Sequence, residues 1–176
     1  AQNKIREEAT IKGAEIRDYS TTLIFALVKK YDTKYIIASF WVGDGGIGIY
    51  HKDKQELTVL GTPDSGEFAG QTRFLTMSDI FSEGAYANRV KFKVVEDFTA
   101  LVLMTDGITD PKFQTDNNLS RIEKWNELWA DLEGANQDNC KVDFSKPIEE
   151  VEAELMYWLN FWSAGNHDDR TIAILF

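Results

Sequence analysis

At 176 residues the chain has the length of one domain. A chain of this size buries roughly 70% of its unfolded surface, so it needs no disulfide staples. The net charge of -10, with Lys and Arg scattered, argues against nucleic acid, where phosphate neutralisation needs basic patches. The single cysteine, Cys140, excludes a disulfide framework and a thiolate metal cage and points to a reducing, cytoplasmic setting. No apolar run approaches membrane-spanning length and no signal peptide is visible, so no membrane partner is expected.

Residues near Asn3 to Ile16 read as a helix. Tyr19 to Lys30 holds the β-rich run Thr-Thr-Leu-Ile-Phe-Ala-Leu-Val, and Asp32-Thr33 turns the chain into a second strand over Tyr35 to Val42. Gly43-Asp44-Gly45-Gly46 interrupts it. Strands follow over Ile47 to Tyr50 and Glu56 to Leu60, joined by His51-Lys52-Asp53-Lys54. Gly61 to Gly70 reads as loop, and Val90 to Val95 and Ala100 to Thr105 as strands. Leu119, Ile122, Trp125, Leu128, Trp129 and Leu132 fall at helical spacing, as do Ile148, Val151, Leu155, Trp158, Leu159 and Trp162. Ser145 and Pro147 mark the start of the second of these helices. Arg170 to Phe176 closes the chain as a strand. Consecutive strands with short turns, then long amphipathic helices, predict an α+β fold: a mostly antiparallel β-sandwich flanked by the helices Leu119 to Gly134 and Ile148 to Phe161.

Two stretches couple an apolar run to carboxylates. Leu101-Val102-Leu103-Met104 runs into Thr105-Asp106-Gly107-Ile108-Thr109-Asp110, and His167-Asp168-Asp169-Arg170 precedes Thr171-Ile172-Ala173-Ile174-Leu175-Phe176. A carboxylate at the mouth of a buried strand is costly to desolvate unless paired, hydrogen-bonded or metal-bound. Two such strand ends suggest a hard divalent cation, magnesium or manganese. Gly43-Asp44-Gly45-Gly46 alone reads as a hairpin or bulge and gains weight only beside the other two. Most of the acidic residues between Asp143 and Glu154 read as a solvated helix face. Trp125, Trp129, Trp158 and Trp162 read as core between helices and sheet. His51 reads as an exposed turn residue. His167 is open to two readings, a neighbour of a metal ligand or a solvated loop histidine. Cys140 has no downstream glycine-rich arginine loop, which argues against a cysteine-phosphatase mechanism.

In order and spacing, these pieces resemble the type 2C metal-dependent protein phosphatases, in their bacterial forms. Tyr19-Ser20-Thr21-Thr22-Leu23 resembles the family's Gly-Ser/Thr-Thr strand opening, and Trp41-Val42-Gly43-Asp44-Gly45 its Val-Gly-Asp-Ser step. Thr105-Asp106-Gly107-Ile108-Thr109-Asp110 is similar to its Ser/Thr-Asp-Gly-x-x-Asp motif, and Asp168-Asp169-Arg170-Thr171 to its terminal Asp-Asn-x-Thr. Gly66-Glu67-Phe68-Ala69 resembles a loop of the bacterial forms. The resemblance implies that Asp106 and Asp168 are catalytic and bind a pair of Mn2+ or Mg2+ ions, with Asp44 and Asp110 nearby at a third, weaker cation. It implies hydrolysis of phosphoserine and phosphothreonine in proteins by metal-activated water, with a phosphoprotein substrate and a cognate Ser/Thr kinase as partners. Gly45 and Gly46 stand in place of Ser-Arg, and Asp169 in place of Asn. The family's phosphate-gripping Arg, first Asp and Asp-Gly-x-Gly-Gly segment have no match. The chain therefore reads as the C-terminal part of one incomplete catalytic domain, inactive by itself. Two other readings stay open: a catalytically silent phosphatase fold that binds a partner protein, and a small-molecule phosphohydrolase on the same metals.

Overall fold

The computed structural model of the protein describes residues 1–64, 72–82, 84–165 and 168–176. Two compact units divide the chain: residues 1–45 with 60–96, and residues 46–59 with 97–176.

In the first unit, β1 (Leu23–Tyr31), β2 (Lys34–Val42) and β5 (Val90–Val95) form a sheet in the order β1-β2-β5, antiparallel throughout. Asp32, at φ 54°, makes the tight β1–β2 turn that an acidic residue tolerates in the left-handed region. Alternation along β2 buries Ile37, Ser39 and Trp41. The registers Leu27↔Ala38, Ala38↔Phe92 and Ile36↔Val94 put Leu27, Phe92, Ile36 and Val94 on the opposite face, where all four are exposed. The first helix, α1 (Gln2–Lys12), is shorter than expected. It stops at Gly13, whose left-handed φ of 63° lets its own N–H cap the Thr10 carbonyl and the Ala14 N–H cap the Ala9 carbonyl. Ile5 of α1 packs on a small core of Phe40, Val42, Leu75 and Ile80.

In the second unit the sheet order is β4-β3-β6-β7, from β3 (Gly46–His51), β4 (Glu56–Gly61), β6 (Ala100–Met104) and β7 (Ile172–Leu175). The β3–β6 and β6–β7 pairs are antiparallel. Against this sheet pack α3 (Ile122–Leu132) and α4 (Ile148–Trp158), through Trp125, Leu128, Trp129, Val151 and Trp158. The three buried indoles of this unit each find an acceptor: Trp125 the Leu119 carbonyl at 2.8 Å, Trp129 Glu133 at 3.0 Å, and Trp158 Asp131 at 2.7 Å. Gly48 sits under Trp125, where an added Cβ would stand 2.3 Å from the indole edge.

The α+β class and the antiparallel pairing are as expected. Three local expectations are corrected. Trp162 is 77% exposed, because α4 ends at Trp158 and the chain turns away before Trp162 can face the core. His51 is not an exposed turn residue: its Nε2 lies 3.4 Å from Asp97 and its Nδ1 accepts the Lys54 N–H, leaving the side chain 14% exposed. The helix expected from Leu119 begins only at Ile122, since Asp116–Ser120 forms a 3-10 turn and Arg121 is extended.

Candidate active site

The β6–β7 ladder ends with Met104 opposite Ile172. One step further, Thr105 and Thr171 close it: the Thr105 N–H donates to the Thr171 carbonyl at 3.1 Å, and the Thr171 N–H donates to Thr105 Oγ1 at 3.0 Å. From Thr105 the chain turns directly into α2 (Asp106–Phe113). Asp106 is its first residue, where negative charge is favoured by the helix dipole, and its Oδ1 accepts the Gly107 N–H at 2.8 Å. The chain entering β7 passes over this first turn. An added Cβ at Gly107 would lie 2.3 Å from the Asp169 carbonyl oxygen, so only glycine admits that approach. Asp168 accepts the Asp169 N–H on its own Oδ1 at 2.8 Å.

The structure thus brings together the backbone segments that carry two of the expected residues. Asp106 and Asp168 each lie one residue from the Gly107–Asp169 contact, at the same end of the β6–β7 pair. Asp110 is exposed on α2, and its (i, i+4) spacing puts it on the helix face of Asp106. Asp44 belongs to the other unit. There it follows β2 and Gly43, whose φ of 118° is open only to glycine, and accepts the Thr72 hydroxyl. The Gly43 carbonyl accepts the Asp64 N–H at 2.8 Å, and Arg89 grips the Asp64 carboxylate at 2.6 and 3.0 Å. His167 and Gly66 to Ala69 lie outside the described residues.

Three residues quoted within the sequence motifs, Thr105, Gly107 and Arg170, shape the site in roles that the sequence did not show. Gly107 was visible as part of a motif, but its role needs the Asp169 backbone beside it. Thr105 acts through Thr171, 66 residues away. In type, the donors suit magnesium or manganese, since Asp106, Asp110, Asp168 and Asp169 offer only hard carboxylate oxygens. In number they fall short of a cage: among the described residues no three His, Cys, Asp or Glu side chains gather closely enough to hold an ion.

The solved phosphatase domain of the cell fate determinant SpoIIE from Bacillus subtilis is similar to the chain at 15% identity and a TM-score of 0.43, over 97% of this chain and 63% of that one. The same domain presoaked with manganese matches at 15% identity and a TM-score of 0.42, with the same coverage. The chain therefore spans less than two thirds of the length of these solved domains. No curated protein matches it. A sequence profile of the protein phosphatase 2C family matches residues 1–159, and the chain belongs to that family.

Proposed function

We propose that the chain serves the hydrolysis of phosphoserine and phosphothreonine in proteins, with Asp106 and Asp168 as the pair that holds Mn2+ or Mg2+ and Asp110 as an outer cation ligand. The observation that carries this reading is the closure of the β6–β7 ladder, which sets two carboxylate-bearing segments against each other at Gly107. When bound, a divalent ion supplies Lewis acidity that acidifies water and neutralises charge on the phosphoryl group. The protein's part is orientation. The Gly107 N–H holds one oxygen of Asp106 and the Asp169 N–H one oxygen of Asp168, which orients both carboxylates. Thr105 keeps the two segments in register. Two donors hold an ion loosely, so the 176 residues alone are expected to be inactive toward a phosphopeptide. A cognate Ser/Thr kinase would supply the substrate, and the lone buried Cys140 fits a cytoplasmic setting.

A second reading is favoured by the absence of a three-ligand group among the described residues: a phosphatase-fold module that binds a partner protein without catalysis. The discriminating experiment is phosphopeptide hydrolysis with excess Mn2+, by this chain and by the chain extended at its N-terminus. Turnover by the extended chain that is lost in its Asp106→Asn variant supports the enzyme. An extended chain that folds, binds no Mn2+ and releases no phosphate supports the binding module.

A further inference from the structure

We propose that Arg170 is the positioning residue that clamps the Asp168–Asp169 segment against the start of α2. The proposal rests on the reading of Asp106 and Asp168 as the metal-holding pair. Asp168 and Asp169 are both exposed and belong to no helix or strand. Adjacent carboxylates repel one another, and Asp106 adds a third negative charge one residue from the contact. The Thr105–Thr171 closure holds the downstream side of this segment, and the Thr105 hydroxyl adds a long 3.4 Å hydrogen bond to the Asp169 carbonyl.

The side chain of Arg170 supplies a further restraint. Its Nη1 donates to the Leu159 carbonyl at 2.8 Å and to the Phe161 carbonyl at 2.5 Å, and its Nη2 donates to Ser163 Oγ at 2.8 Å. Its Cζ lies 3.9 Å from the centre of the buried Phe161 ring. Its Cγ stands 3.2 Å from the place a Cβ of Gly107 would take. One side chain therefore touches the exit of α4, an aromatic ring of the core and the first turn of α2, while its own backbone carries the acid pair. The two carbonyl acceptors belong to residues just past the end of α4, where a cation is favoured by the helix C-terminus.

The geometry suits arginine over lysine. Two carbonyls share one terminal nitrogen, a hydroxyl takes the other, and the planar group rests on a ring, which a rigid fork matches and a single ammonium does not. The local sequence gives no hint of this, because Leu159 and Phe161 lie 11 and 9 residues upstream.

The test uses Arg170→Met and Arg170→Lys in the 176-residue chain, with two readouts: amide hydrogen exchange resolved at residues 168–171, and Mn2+ affinity by electron paramagnetic resonance. In Arg170→Met the Thr171 amide should exchange at least about tenfold faster while β3 and β6 amides keep their protection. Mn2+ affinity should fall by about tenfold or more, with Arg170→Lys intermediate in both. Uniformly faster exchange, or Thr171 protection and Mn2+ affinity that both stay within about twofold of the parent chain, would overturn the clamp. If Arg170→Met does not fold, Arg170→Lys decides on the same criteria. Asp168→Asn separates the two claims. If it binds Mn2+ as the parent does, the metal reading fails, and the clamp is then judged on exchange alone.

Discussion

Gly107 shows how one residue can fix a site. Replacing it by alanine sets a Cβ against the Asp169 backbone, which cannot move like a flexible side-chain end. Gly107→Ala should cost about 1–3 kcal/mol by urea unfolding and weaken Mn2+ binding together with it. Asp106→Asn should act in the opposite way, removing one of several like charges while leaving packing intact. Stability should hold or rise while Mn2+-dependent hydrolysis by the extended chain disappears, as unfolding curves and a phosphate-release assay would show. Tyr50 carries a pH prediction. Burial, and then the charges of Glu133 and Asp53, push its hydroxyl up to about 12, and it donates to Asn126 at 2.7 Å. The unfolded chain loses this proton near pH 10, so the stabilising contribution is whole below about pH 10 and is lost between about pH 10 and 12. The urea midpoint should drop across that window, and less steeply in Tyr50→Phe; parallel drops would contradict it. The carboxylates were legible in the sequence because an acid beside an apolar run is conspicuous. The orienting roles of Thr105, Gly107 and Arg170 were not, although the motifs contained these residues, because they act through partners distant in the chain.

At the scale of elements, β-rich and apolar runs marked β1, β2, β5 and β6, and the tryptophan stripes marked α3 and α4. The eight-residue α2 escaped notice. Gly107 and Pro111 fall inside it, both of which argue against a helix on propensity, and tertiary contacts override them. Trp162 continues the spacing of Trp158 by one turn, yet α4 has ended by then, and the carbonyls at its exit turn to Arg170. The joint between β6, α2 and β7 depends on the Thr105 hydroxyl. Thr105→Val keeps its shape but removes the acceptor of the exposed Thr171 N–H, and should cost about 0.5–1 kcal/mol by chemical unfolding, whereas Thr105→Ser keeps the acceptor and most of the stability. Equal losses in the two variants would place the contribution in packing instead.

Across the whole molecule the charge is uneven. Residues 1–45 and 60–96 carry eleven basic and eleven acidic side chains, and the remaining residues carry eight and eighteen, so the entire net charge of -10 belongs to the second unit. That is the unit holding Asp106, Asp110, Asp168 and Asp169, where an excess of negative charge raises the local concentration of divalent cations. The first unit is neutral and leaves Leu27 66% and Phe92 73% exposed on one sheet face. Leu27→Thr with Phe92→Thr should reduce binding of an apolar dye and change stability by only about 0.5 kcal/mol, since both side chains already face solvent. The charge distribution was present in the sequence but had no address until the chain was divided into its units. The pairing of Asp106 with Asp168 is most directly tested by titrating Mn2+ into the 176-residue chain and its Asp106→Asn and Asp168→Asn variants, followed by electron paramagnetic resonance, with near-ultraviolet circular dichroism to confirm the fold. The expected result is saturable binding by the parent chain, weakened about tenfold or more by either substitution with the fold intact. Binding that both variants retain unchanged would contradict it.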